Sequence, residues 1–324
     1  MGRNDKFDSP EGRGISSVEA LVDQAVAEIG KVVLGKEKTV RLALCCLFAG
    51  GHLLLEDKPG MGKTTLSQAL AKVFGLAFSR IQFTSDLLPA DILGVSIYDQ
   101  KKAGFIFHQG PVFNNIVLAD EINRSTPKTQ SALLEAMEEK QITMDGQTRA
   151  LPTPFFVIAT QNPASYAGTY PLPESQLDRF LMRLHMGYPD PAAERELLKN
   201  SNQREKLNAM SQCLSAADVI EFGQKIARIN ISSTLLDYVQ RLVAYTRQDE
   251  KFSLGLSPRG AQTLVRSAGT WALMHGRHHI LPEDVQMILP AVVDHRLRLM
   301  SDSSGKNSES YSQRLLNEVD IFAD

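Results

Sequence analysis

The stretch Leu53–Leu66, LLLEDKPGMGKTTL, ends in Gly62-Lys63-Thr64. An apolar strand, a glycine-bearing turn and a helix opening on Lys-Thr can hold phosphate. The turn runs through Asp57, Lys58, Pro59, Gly60, Met61, Gly62, Lys63, Thr64 and Thr65. Its backbone N–H groups face the β- and γ-phosphates, helped by the positive end of the helix. Lys63 supplies neutralising charge, and the Thr64 hydroxyl is the expected Mg²⁺ ligand. The usual pattern, G-x-x-x-x-G-K-[ST], begins with glycine, where this chain has Asp57. Gly60 and Gly62 remain where backbone approaches phosphate, and Asp tolerates unusual turn dihedrals. The departure is compatible with a working site if the carboxylate points away.

Two further segments fit the same chemistry. IVLAD (116–120) is an apolar strand ending in Asp120-Glu121, 57 positions after Lys63. Asp120 is expected to orient Mg²⁺ through water, and Glu121 to position and polarise an attacking water. Asn162 lies just past the apolar strand FFVIAT (155–160). From there an amide can face the γ-phosphate or the water at the carboxyl edge of a sheet. Alone, Asn162 before Pro163 would read as a turn residue.

These side chains need a sheet to converge. Strand signatures fall at 52–56, 77–83, 104–110, 116–120, 155–160 and 181–188, and helical patterns at 17–30, 37–49, 63–74 and 127–139. Asp145-Gly146 within QITMDGQTRAL (141–151) is a hairpin turn signal. Alternating strands and helices predict an α/β fold, a parallel sheet between helices. After Pro189-Asp190-Pro191 the pattern is helical: 191–200, 215–228, 232–247, 258–275 and 282–299. The expected organisation is a disordered segment over 1–14, an α/β core over 15–189, a helical domain over 190–300 and a polar tail over 301–324. The tail opens as a loose linker and leaves room for a short helix after it.

Composition narrows the classes. The chain has 324 residues, 43% hydrophobic and 22% charged, with formal net charge −2. That gives no global pull toward nucleic acid or anionic lipid. Three cysteines, two of them adjacent in an apolar run, make no disulfide framework. The N-terminal stretch lacks the apolar core of a secretion signal, and no segment has membrane-span length, so a cytoplasmic location without membrane insertion is expected. His275, His278 and His279 resemble a metal cluster, but Gly276 is expected to end their helix, which breaks the spacing.

The order of these segments carries a resemblance. ADEINRSTPKTQSALLEAMEEKQITMDG followed by VIATQNPASYAGTYPLPESQLDRFLMR is similar to the MoxR family of AAA+ ATPases, from about VVLGK to residue 299. Members commonly carry an acid at the position of Asp57. The resemblance implies a P-loop AAA+ core followed by a small all-α lid, with ATP and Mg²⁺ as cofactors. Arg179 in QLDRF matches an arginine finger given to a neighbour's ATP. Arg259 in GLSPRG matches a sensor arginine at a helix start, expected to reach the γ-phosphate across the domain cleft. Val33 and Gly35 in VVLGK match the adenine contact. The stretch 87–113 matches an insertion in the second helix, and 141–151 a pre-sensor hairpin.

The resemblance further implies a homo-oligomer, a hexameric ring, with chaperone-like remodelling of partners, often von Willebrand factor A domain proteins. A nucleic-acid motor is second: only Lys140 and Arg149 lie near the hairpin. A metal-chelatase-type motor subunit differs only in partner. An ATP-binding scaffold without turnover is disfavoured by Glu121 and Arg179.

Overall fold

A computed structural model of the chain describes residues 15–162, 169–199, 202–299 and 310–322. The expected disordered segment over 1–14 and the linker from 301 to 309 lie outside the described residues. In chain order the elements are α1 (Ile15–Gly30), α2 (Glu37–Phe48), β1 (Leu53–Glu56), α3 (Lys63–Phe74), β2 (Phe78–Gln82), α4 (Pro89–Leu93), β3 (Gly94–Asp99), β4 (Gly104–Gln109), β5 (Ile116–Asp120), α5 (Pro127–Glu139), β6 (Gln141–Met144), β7 (Gln147–Ala150), β8 (Phe156–Gln161), α6 (Glu174–Leu177) and β9 (Met182–Leu184). There follow α7 (Pro191–Lys199), α8 (Gln203–Asn208), α9 (Ala216–Ile226), α10 (Ser233–Gln248), β10 (Phe252–Leu254), α11 (Pro258–Met274), α12 (Pro282–Val293), β11 (Arg298–Leu299) and α13 (Tyr311–Glu318).

Five strands form a parallel sheet in the order β2-β5-β8-β1-β9. Side chains alternate across it. Leu53, Leu55, Leu118 and Ile158 enter a core shared with α1, α2, α3 and the later helices. Leu54, Val117, Ala119 and Val157 enter a second core with α5. Burial on both faces explains why these strands read as unbroken apolar runs.

The described residues depart from the expected elements in three places. β3 pairs with β4 as an antiparallel hairpin, so the expected strand at 104–110 has a partner the pattern did not reveal. The alternating stretch 181–188 pairs with β1 only through Met182–Leu184, after which the chain turns toward α7. The helix expected over 282–299 stops at Val293, because the chain turns there and Arg298–Leu299 pairs with β10. A short helix does follow the linker, as expected: α13, which packs against α12 with Leu315 buried.

The later helices share one continuous core with the sheet. Phe48 of α2 stacks on Phe222 of α9 with ring centres 4.0 Å apart. Arg296, almost fully buried, donates to Asp178 Oδ1 at 2.6 Å and to the Phe180 carbonyl at 2.6 Å, joining the helical domain to the segment before β9.

Candidate functional site

β1, β5 and β8 end at the same carboxyl edge, and each hands on one part of a polar cluster. After β1 the chain turns through Gly60 and Gly62, both with positive φ (85° and 86°). Little surrounds a Cβ at Gly60, so glycine is needed there for the dihedral, not for space. α3 then begins at Lys63, with Thr64 and Thr65 in its first turn.

Lys63 is buried. Its Nζ donates to the Asp57 carbonyl at 2.6 Å, the Gln161 carbonyl at 3.3 Å and Asn162 Oδ1 at 3.4 Å. Burial pushes its pKa below the ordinary lysine value against the pull of Asp57, Asp120 and Glu121. A buried ammonium held by neutral carbonyls is ready for an anion. The Asp57 carboxylate does point away: its Oδ2 accepts from the backbone N–H of Met186 and, at 3.2 Å, of Gly187. It pins the turn after β9 instead of facing the loop's N–H groups.

Asp120 and Glu121 are tied together by Thr160, which sequence reasoning did not single out. The Thr160 hydroxyl donates to Asp120 Oδ1 at 2.6 Å and accepts from the Glu121 N–H at 2.8 Å. Glu121 sits in the left-handed region, φ 57° and ψ 48°, an uncommon place for a non-glycine residue and one associated with functional sites. Its Oε1 accepts from Asn162 Nδ2 at 2.9 Å, and its Oε2 from Arg124 at 2.9 Å and Gln82 at 3.1 Å. Burial works to raise its pKa, but the hydrogen bonds from Arg124 and Asn162 outweigh it and hold the carboxyl below the usual glutamate value. Asp120 Oδ2 accepts from Arg80 at 2.6 and 3.1 Å. Arg80 and Gln82, in the alternating strand β2, gave no signal beyond ordinary strand polarity.

A cavity of 460 Å³ adjoins the loop, lined by Val33, Gly60, Met61, Gly62 and Thr65, with Met186 and Leu197 from the far side. Gly35 lines a neighbouring cavity that shares Val33. Lys58 and Pro59 are exposed. Lys58 Nζ lies 5.7 Å from the Tyr188 ring centre.

Arg179 and Arg259 are elsewhere. Ser257 caps α11 by accepting from the Gly260 N–H at 3.0 Å, which sets Arg259 in the first turn as expected. Arg259 does not turn toward the phosphate loop of its own chain. It donates to Glu138 Oε1 at 3.0 Å, and Arg179 meets Glu138 Oε2 at 3.0 Å. Both arginines line a cavity of 270 Å³ that also touches His52, the residue before β1, and shares no lining residue with the cavity beside the loop. β1 runs from one to the other, so the two sites lie at opposite sheet edges, about 15 Å apart. The sequence reading has Arg259 reach the γ-phosphate across the cleft; in this structure α12 and Arg296 hold α11 at the amino edge of the sheet, and Arg259 faces Glu138.

Parallel sheet, phosphate-type loop and helical lid define the class, an AAA ATPase module. A family model described as "ATPase family associated with various cellular activities (AAA)" matches residues 52–182, and a model for the AAA lid domain matches 244–315. The Bacillus subtilis protein YeaC is 44% identical over 93% of this chain and 95% of its own. Chaperone MoxR1 of Mycobacterium tuberculosis is 39% identical over 91% of this chain and 81% of its own. The crystal structure of a candidate ATPase from Cytophaga hutchinsonii superposes with a TM-score of 0.85 at 38% identity, covering 95% of this chain and 97% of that one. The chain belongs to the MoxR family of AAA ATPases.

Proposed function

We propose that the protein is an Mg²⁺-dependent ATPase that works as a head-to-tail ring of copies and remodels or activates partner proteins. The observation that carries this reading is the linked cluster Lys63–Asn162–Glu121–Thr160–Asp120 at the end of three strands. Lys63 and the loop N–H groups bind the phosphates. Glu121, kept ionised by Arg124 and Asn162, orients a water for attack on the γ-phosphorus and takes its proton as the bond to ADP breaks. Asn162 holds the carboxylate in register with the phosphate.

Oxygen donors on Thr64 and Asp120 suit Mg²⁺, which would neutralise charge on the β- and γ-phosphates. Thr160 fixes one oxygen of Asp120, and Arg80 holds the oxygen that metal-bound water would take. Arg179 and Arg259 lie at the sheet edge opposite the loop. A surface carrying a phosphate site on one edge and guanidiniums on the other is complementary to its own copy, and a closed set of such contacts is a ring. Six copies, a cytoplasmic location and a von Willebrand factor A domain partner are parts of the same proposal. The printed name of the Mycobacterium relative, a chaperone, supports the remodelling role. The division at about residue 190 belongs to it too, since lid movement is how hydrolysis would be transmitted.

The test is steady-state ATPase rate against protein concentration, with mass measured with and without ATP. Specific activity that rises steeply alongside a ring mass supports a site completed by a neighbour. Flat activity from a monomer removes the ring mechanism, and no turnover under any condition favours a scaffold.

A further inference from the structure

We propose that Arg266 is a third phosphate-binding guanidinium beside Arg179 and Arg259, and that Glu138 occupies this basic site until a phosphoryl group from a neighbouring copy displaces it. The inference rests on the head-to-tail reading above. Residues 259, 262, 263 and 266 recur on one face of α11, and all four line the 270 Å³ cavity. Lys140, Arg179 and the buried Arg296 line it as well. Only Glu138 and Asp178 oppose them there, so positive charge is in excess.

The cations are not equivalent. Arg296 is committed to Asp178 and to backbone carbonyls. Arg179 and Arg259 each take one oxygen of Glu138. Among the described residues Arg266 has no hydrogen-bonding or ionic partner for its guanidinium. It is exposed beside Gly50, and partial burial alone pushes its pKa below the ordinary arginine value, with no carboxylate to restore it. An exposed guanidinium without a counter-charge is free to receive an anion.

Glu138 shows what that anion resembles. Two guanidiniums on the two oxygens of one carboxylate is also how guanidiniums grip a phosphoryl group, which offers a third oxygen and more charge. The cavity is smaller than the one beside the loop, so it suits a phosphate chain end rather than a whole nucleotide. Glu138 then acts as a stand-in that keeps Arg179 and Arg259 gathered before assembly.

The experiment uses the full chain with Arg266→Gln, Arg266→Lys, Glu138→Gln, Arg179→Ala and Glu121→Gln. Nucleotide affinity, kcat, KM and melting temperature are measured for each, and rates for mixtures. Arg266→Gln should keep nucleotide affinity and fold, and lose at least about tenfold in kcat. Arg266→Lys should recover part of that. Mixing Arg266→Gln with Glu121→Gln should give more activity than the two alone, because each supplies what the other lacks. Glu138→Gln should reach half-maximal specific activity at lower chain concentration. An unchanged kcat in Arg266→Gln overturns the proposal. So does a loss that mixing fails to rescue while the Arg179→Ala and Glu121→Gln pair is rescued, which would make Arg266 structural within its own chain. If neither pair is rescued, the head-to-tail reading falls and takes this one with it. Tripolyphosphate titrated into Lys63→Ala, whose own loop is disabled, separates the sources. Binding that Arg266→Gln abolishes supports a phosphoryl site filled by free polyphosphate. Absence of binding with rescued mixtures assigns it to the neighbour's nucleotide.

Discussion

Thr160 is fully buried, and its one hydroxyl joins the Asp120 carboxylate to the backbone N–H of Glu121. Replacing it by valine keeps the shape of the strand end and removes both hydrogen bonds. Bonds to charged groups are worth about 1.5–3 kcal/mol, so the full effect on turnover is about ten- to a hundredfold. We expect Thr160→Val to bind nucleotide as wild type does and to lose kcat by that factor in a steady-state assay. His52 offers a different residue-scale test. Val157 N–H donates to its Nδ1 at 2.9 Å, so Nε2 carries the proton and donates to the Met137 carbonyl at 3.2 Å. Burial pushes its pKa from 6.5 down to about 4. The depressed value means the neutral form is favoured in the fold. Its stabilisation is present above pH 6.5 and is lost as pH falls toward 4. His295, also buried and also pushed down, adds in the same direction. His52 alone costs about 2 kcal/mol by pH 5, and melting temperature across pH 7.5 to 5 should fall accordingly, less steeply in His52→Gln.

At the scale of elements, the loop after β1 and the turn after β9 are one unit because Asp57 joins them. Asp57→Ala leaves two backbone N–H groups without their acceptor, at about 1–3 kcal/mol. The turn lines the cavity beside the loop, so nucleotide affinity should weaken several-fold in a titration. Tighter binding would mean that Asp57 acts by repelling phosphate. The β3–β4 and β6–β7 hairpins are likewise coupled. Ser96 donates to Asp145, and the Arg149 guanidinium lies 4.0 Å from the Phe107 ring centre. Val95, Ile97, Tyr98 and Phe105 remain exposed on the first of them.

Across the whole molecule, the helical domain is held to the sheet by apolar packing and by Arg296. That guanidinium satisfies Asp178 and the carbonyls of Phe180 and, at 3.2 Å, Leu181. Arg296→Met should cost about 3 kcal/mol, since it strands a carboxylate and buried carbonyls. A thermal melt checks it, and a melt equal to wild type would mean that packing alone fixes the lid. Any lid movement during turnover has to include this junction.

Local signals in the sequence were enough for the glycine turn before α3, the acid pair after β5 and the β6–β7 turn, because each is set by neighbours in the chain. A glycine turn before Lys63, an apolar run ending in Asp120 and an Asp-Gly pair between alternating stretches are backbone chemistry legible residue by residue. The parallel sheet followed from the same runs, since only strands buried on both faces are apolar throughout. The partners of those residues were not legible. Thr160 is an ordinary strand end until β5 lies beside it, and Glu138 an ordinary helix-end acid until α11 brings Arg259 across. The sequence determined the fold and the local backbone of the candidate site. Only the tertiary structure decided that Arg259 joins Arg179 at the far edge of the sheet, because that position depends on how a whole domain packs, and packing is set by contacts between residues more than a hundred positions apart.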